Sequence, residues 1–243
     1  MSLGRRKTMS AATVRVLSAG AIEPGLTGAA RAFGEQHGVS VEIAWATTPN
    51  IRRRVAADEV HDILIVPADA AVEFEAAGKL VRDGRVPLGA VGVGVAVRAG
   101  AGVPDVSTVE RLTAALLGAE SVIFTLATSG IYVESMLKRQ GLYERLAPKI
   151  TRFETGPEMM AHLIHGRGDE FCLGAIVELM MFRDKGVSYV GPLPSALQRF
   201  TEYVAARTTA GENPNGARRF LAYLATAEAR TMFADCGVET AAG

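Results

Sequence analysis

The stretch TVRVLSAGAIEPGLTGAARAFGEQHGVSVEIAWATTPNIRRRVAADEVHDILIV, residues 13–66, decides the fold class. Residues 13–18 alternate β-branched and other side chains and stop at Ala19-Gly20, the pattern of a strand. Pro24 then opens a helical segment over residues 25–36. Leu26, Ala29, Ala30 and Phe33 recur there at helical spacing, and Gly38 closes it. Residues 39–45 read as a second strand. Thr47-Thr48-Pro49 joins hydroxyls suited to capping with a proline suited to a first turn, so a second helix starts there and runs to Ala57. Residues 62–66 are a short, continuous apolar run, as in a strand buried on both faces of a parallel sheet. Strand, helix, strand, helix, strand with short connections implies right-handed crossovers and an α/β fold.

Working outward, residues 68–77 add a helix. Residues 89–98 (GAVGVGVAVR) are Gly/Val-rich and read as one long strand crossing between domains. The pattern then repeats: helix 108–118, strand 121–126, helix 129–140, strand 150–153, helix 157–165, strand 172–177, short helix 178–183 and strand 187–190. Residues 201–206 read as a strand returning to the first domain. Residues 214–233 read as one amphipathic helical region with Ala217, Phe220, Leu221 and Leu224 on a single face. The expected architecture is two lobes, each a mostly parallel sheet flanked by helices. Residues 13–88 and 200–243 would form the first, 89–199 the second and 1–12 a tail, with a ligand cleft and a hinge between the lobes.

Composition narrows the function classes. Hydrophobic residues make up 49% and charged residues 21%, ordinary values for a packed globular chain. Lys+Arg and Asp+Glu both number 26, so the basic excess of a nucleic-acid binder is missing. No run of about 18 apolar residues exists, so no membrane insertion is expected. Met1–Ala12 carries the basic run Arg5-Arg6-Lys7 but no apolar core, so it is not an intact signal peptide. The chain as it stands reads as cytoplasmic, and as periplasmic if a leader was removed. Cys172 and Cys236 stand far apart with no metal-ligand spacing, and are expected to be core thiols. VGVGV at residues 91–95 lies in a strand and not in a strand-to-helix turn, so it is no phosphate loop, and no GxSxG elbow is present. Neither a metal nor a cofactor is called for.

Five stretches together resemble the substrate-binding component of molybdate ABC transporters, of the two-lobed periplasmic-binding-protein type. They are VRVLSAGAIEPGL (14–26), AARAFGEQHGVSVEIAWATT (29–48), HDILIVPADAAVEFEAAGKLV (61–81), SGIYVESMLKRQGLYERLAPKI (129–150) and ARRFLAYLATAEARTMFADCGVE (217–239). The resemblance runs over nearly the whole chain from Thr13, and the order and spacing of the motifs carry it. It implies a site between the lobes, built from hydroxyls and helix N-terminal N–H groups, that closes over a small anion. The matching positions are Gly20 and Ala21 in the first turn, Thr47 and Thr48 in the second, Ser129 and Gly130 at a helix start of the second lobe, Gly156 or Pro157 in a later loop, and Val177. Ala21 replaces the family's usual serine and Val177 a tyrosine found in molybdate binders. Two lost hydroxyls would leave oxyanion oxygens unpaired at ~1–3 kcal/mol each, which argues for a small carboxylate. The superfamily is also implied to include isomerases of the aconitate type.

Several side chains carry competing readings. Thr48 and Ser129 serve equally as helix caps and as ligand donors. Tyr132, one turn into its helix, is either packing or a ligand hydroxyl. Of Arg52, Arg53 and Arg54, one or two could face the cleft and pair with a carboxylate, and Arg53 is the candidate. Glu23 is a first-turn acid favoured by the helix dipole, or a base at the cleft mouth. His162 and His165 lie three apart on a helix without a third ligand, so surface histidines are expected, with His162 a further base candidate. Asp62 is expected to be structural and Asp69 to cap a helix or pack near the hinge. Three functions follow: a solute receptor that delivers a small oxyanion or carboxylate to an ABC permease if exported, an isomerase moving a proton beside a carboxylate with Glu23, Tyr132 or His162 as base, and a ligand-sensing domain. About a dozen residues precede the first strand, too few for a DNA-binding segment, which disfavours the third.

Overall fold

The computed structural model describes residues 13–82 and 84–240. The expected tail at 1–12, with its basic run, lies outside them. The chain runs β1 (Val14–Ala19), α1 (Glu23–His37), β2 (Val41–Ala46), α2 (Thr48–Ala56), β3 (Ile63–Pro67), α3 (Ala68–Ala76) and β4 (Val86–Val91). It continues with β5 (Val93–Arg98), α4 (Val109–Gly118), β6 (Ser121–Thr125), α5 (Thr128–Arg139), α6 (Tyr143–Leu146), β7 (Ile150–Phe153), α7 (Gly156–His165), β8 (Glu170–Ala175), α8 (Ile176–Met181) and β9 (Val187–Pro192). It ends with β10 (Thr201–Arg207), α9 (Pro214–Leu224) and α10 (Ala227–Asp235).

Two five-stranded sheets result, ordered β2-β1-β3-β10-β4 and β7-β6-β8-β5-β9. In the first, β1 runs parallel to β2 and β3, while β10 runs antiparallel to both β3 and β4. In the second, β6 runs parallel to β7 and β8, while β5 runs antiparallel to both β8 and β9. Each sheet therefore has one reversed strand in the same place, and each reversed strand is the one that enters from the other lobe. This is the two-lobed α/β architecture, with mostly parallel sheets.

Three details differ from the sequence reading. Residues 89–98 are not one strand: β4 stays in the first sheet to Val91 and β5 begins the second at Val93. The change of lobe falls at Gly92, three residues beyond the expected boundary. A glutamine from the return crossing clasps this joint, since Val93 N–H donates to Gln198 Oε1 at 2.9 Å and Gln198 Nε2 donates to the Val93 carbonyl at 2.8 Å. Residues 214–233 form two helices, because Thr226 caps α10, accepting from Ala229 N–H at 3.2 Å. The eighth strand ends at Ala175, so Val177 belongs to α8.

The larger core lies under the first sheet, where α1, α9 and α10 meet. Phe33 and Phe220 are fully buried, with ring centroids 5.1 Å apart. The predicted face of α9 is the buried one: Ala217, Phe220, Leu221 and Leu224. Cys172 is buried and Cys236 half-buried, and neither is in a disulfide. Among the described residues no helix is long and apolar enough to cross a membrane.

Asp62 ties the two ends of the first lobe together. It is 2% exposed, and its two oxygens accept from Arg15 N–H at 2.8 Å and Asn213 N–H at 2.7 Å. Asn213 in turn caps α9, accepting from Gly216 N–H at 3.0 Å. Asp62→Ala is expected to lower unfolding free energy by ~2–4 kcal/mol, because two charge-assisted hydrogen bonds to a buried carboxylate are lost. Urea denaturation of the variant against the parent measures it.

Candidate functional site

A cavity of about 170 Å³ lies between the lobes. Its first-lobe wall includes Gly20, Ala21 and Glu23 before and within α1, Trp45 on β2, Thr47 and Thr48 at the start of α2, and Tyr203 on β10. Its second-lobe wall includes Thr128 and Ser129 at the start of α5, Thr155, Gly156 and Pro157 at the start of α7, and Glu178 and Phe182. Four helices thus point their N-termini at one space, bringing positive dipole ends and unpaired first-turn N–H groups with them.

Part of this donor set is free of side-chain caps, although the Glu23 N–H already donates to the Gly20 carbonyl. The residues preceding α1, α2 and α5 (Ile22, Thr47 and Ala127) make no side-chain cap bond. Of the helices that start elsewhere, α4, α9 and α10 are capped by Thr108, Asn213 and Thr226, whereas α3, α6 and α8 have no side-chain cap. The fourth cavity helix, α7, is capped by Thr155 in a reciprocal arrangement with Glu158. The expected cap at Thr48 is therefore corrected: Thr47 holds the cap position without bonding. Thr48, 4% exposed, instead accepts a hydrogen bond at 3.0 Å from the Thr128 hydroxyl of the opposite lobe.

Gly20, Ala21, Glu23, Thr47, Thr48, Ser129, Gly156 and Pro157 line the cavity. Other candidates do not. Arg53 points away and bonds Asn50, while Arg52 pairs with Glu73 at 2.9 and 3.1 Å beside a neighbouring chamber. The Tyr132 hydroxyl donates to the Leu197 carbonyl at 2.5 Å in that same chamber. Gly130 faces β6, where an added methyl would meet the Thr125 carbonyl oxygen at 1.8 Å, so it sets helix-to-sheet distance. Val177 sits one residue from a cavity-facing position, about 100° round α8, and is buried in the first lobe's core. His162 lies at the far end of α7, exposed, with Nε2 3.0 Å from Glu170. Asp69 sits in the first turn of α3 and its Oδ1 accepts from Ala70 N–H at 2.8 Å. Among the described residues no group of three or more His, Cys, Asp or Glu side chains is placed to hold a metal ion.

The residue that the sequence reading missed is Glu178. Its carboxyl lies against the backbone of two helix starts, one from each lobe. A methyl added at Gly156 would meet its Oε1 at 2.9 Å, and one at Gly20 would meet it at 3.5 Å. Among the described residues no hydrogen bond or ion pair reaches it. Burial, and secondarily the charge of Glu23, push its pKa up to about 7. Burial also raises Glu23. A signal was present: Glu178 is the single charge in the ten-residue apolar run Leu173–Phe182.

This fold and cleft define a two-lobed binding protein. Residues 14–239 match the family of bacterial extracellular solute-binding proteins, and the chain belongs to it. It is similar to an aconitate isomerase from a Pseudomonas species, at 30% identity over 93% of this chain and 87% of that one. In structure it is similar to the periplasmic molybdate-binding protein of Azotobacter vinelandii, with a TM-score of 0.79 at 14% identity over 94% of this chain and 100% of that one. It is also similar to a sulfate-binding protein of Mycobacterium tuberculosis, with a TM-score of 0.75 at 20% identity over 93% and 86%.

The raised pKa of Glu178 has a stability consequence. Below pH 4.5 its carboxyl is protonated in both the folded and unfolded chain. Between 4.5 and about 7 the unfolded chain releases the proton and the folded one retains it, so folded stability falls as pH rises through that window. The loss is at most ~3 kcal/mol. Glu178→Gln removes it. The variant's melting temperature is expected to gain on the parent's between pH 4.5 and pH 8 in a paired calorimetric series.

Proposed function

We propose that this protein is a proton-transfer isomerase acting on a small unsaturated polycarboxylate of the aconitate type, bound in the cleft between the lobes. The observation that carries this reading is Glu178: a carboxyl without a protein partner, facing the cavity, with a pKa near the operating pH. A general base is most effective when its pKa lies near that pH, because it then both takes and returns a proton readily. A receptor of a small anion gains nothing from an unpaired acid in its cleft, because like charges repel. The similarity to an aconitate isomerase supports the same reading.

The chemistry follows from the wall. The uncapped starts of α1, α2 and α5 hold the substrate's carboxylates through backbone N–H groups. Glu178 in its ionised form takes a proton from the methylene carbon. The C–H electron pair forms a new double bond to the central carbon, and the old π pair moves toward the vinylic carbon, its charge spreading onto a carboxylate as a dienolate. The protonated Glu178 returns the proton to the former vinylic carbon. One C–H bond breaks, one forms, the double bond moves by one carbon, and no redox partner or cofactor enters. Glu23 keeps Glu178 basic by charge repulsion. The lobes, residues 13–91 with 201–240 against 93–197, hinge at Gly92 and the Gln198 clasp, and closure excludes water.

A receptor of a small anion is the second reading. It is supported by the family and by the molybdate- and sulfate-binding proteins of the same fold, and in an exported form it would work with an ABC permease. Proton NMR of trans-aconitate incubated with the protein separates the two. The expected result is conversion to cis-aconitate, with kcat/KM rising as pH approaches 7 and a loss of ~10²-fold or more in Glu178→Gln. Binding of the acid without conversion would leave the receptor.

A further inference from the structure

Tyr203 is the cavity's second unexplained polar group. It is 4% exposed, yet it lines the cavity, and among the described residues its hydroxyl has no hydrogen-bond partner. Its placement comes from an irregularity in β10. The register against β4 shifts between Tyr203 and Val204, so that Tyr203 faces Gly89 and Val204 faces Pro87. Such bulges re-aim a side chain. On its other edge Tyr203 faces Pro67. The ring thus stands on the reversed strand that returns from the other lobe.

Resting on the isomerase reading above, we propose that Tyr203 is a catalytic residue whose hydroxyl donates a hydrogen bond to the carboxylate oxygen on which dienolate charge accumulates. Proton abstraction by Glu178 converts a neutral C–H bond into an anion whose charge lands on oxygen. The helix N–H groups bind the substrate's carboxylates in ground state and transition state alike. A donor aimed at the oxygen that gains charge binds the transition state better, and that difference accelerates the step. The hydroxyl donates without giving up its proton, so the proton balance stays with Glu178. Burial and the negative charges of Glu178 and Asp69 push the phenol up and keep it protonated, as a donor requires. A hydroxyl that faces the cavity and bonds no wall group suits this role, since it needs no protein partner exchanged at the moment of reaction.

Tyr203→Phe removes one oxygen and retains the ring, and since that oxygen bonds nothing in the wall, the variant is expected to melt no lower than the parent. Two measurements then test the proposal: turnover of trans-aconitate, and calorimetric binding of tricarballylate, the saturated analogue that cannot ionise productively. The expected result is a kcat lower by ~10²-fold or more with tricarballylate affinity changed by less than about threefold. A kcat within a few-fold of the parent overturns the role of Tyr203 while the isomerase reading stands. A lower melting temperature with kcat and affinity lost together overturns it in favour of a structural hydroxyl. A parent protein that does not convert trans-aconitate at all overturns the isomerase reading, and the dienolate role with it.

Discussion

A carboxyl group without a partner, wedged between helix starts of two lobes, sets the terms for the rest of this structure. Glu178 belongs to the second lobe, but its oxygens lie against Gly20 of the first as well as Gly156 of its own. A charge in that position is costly because the half-buried carboxyl loses much of its water and no cation pairs with it. Glu23 adds a second negative group instead of relieving the first. The surroundings answer with partial positive charge, from the dipole ends of the four helices that begin at the cavity, three of them without a side-chain cap. The result is a carboxyl balanced between protonated and ionised forms, which is unfavourable for stability and useful for moving protons.

The fold places these groups through its two exchanged strands. Because β5 and β10 each enter the sheet of the lobe to which they return, the helix starts of both lobes face the same interval. Tyr203 rides on one exchanged strand, and the segment from β8 into α8 that carries Glu178 pairs with the other. Small residues set the distances. Gly130 lets α5 approach β6, and Gly156 leaves the volume that the Glu178 carboxyl fills. The Thr128-to-Thr48 hydrogen bond lies between the cavity and the neighbouring chamber, joining a helix start of one lobe to a helix start of the other.

Much of this was legible in the sequence, for identifiable reasons. Alternation in residues 13–18 and the apolar run at 62–66 mark strands because burial on one or both faces constrains side-chain type. The turns at Gly20-Ala21, Thr47-Thr48 and Gly156-Pro157 were legible because helix starts carry their own residue preferences. Glu178 was not, because its position depends on which face of a six-residue helix meets the other lobe, and a neighbour one residue away, Val177, points into the core. Arg53 and Tyr132 failed for the same reason: helical rotation and side-chain partners, Asn50 and the Leu197 carbonyl, turn them elsewhere. The split of residues 89–98 was hidden because both strands are Gly/Val-rich and only the change of sheet separates them.

Glu178 is a half-buried carboxyl that burial and the charge of Glu23 push above its ordinary range. Carbon-13 NMR of the side-chain carboxyls, with Glu178 assigned by the missing signal in Glu178→Gln, measures this directly. The expected result is a midpoint at about 7 in the unliganded protein, moving down when Glu23→Gln removes the neighbouring charge. A midpoint near the ordinary 4.5, unmoved by that substitution, would contradict it.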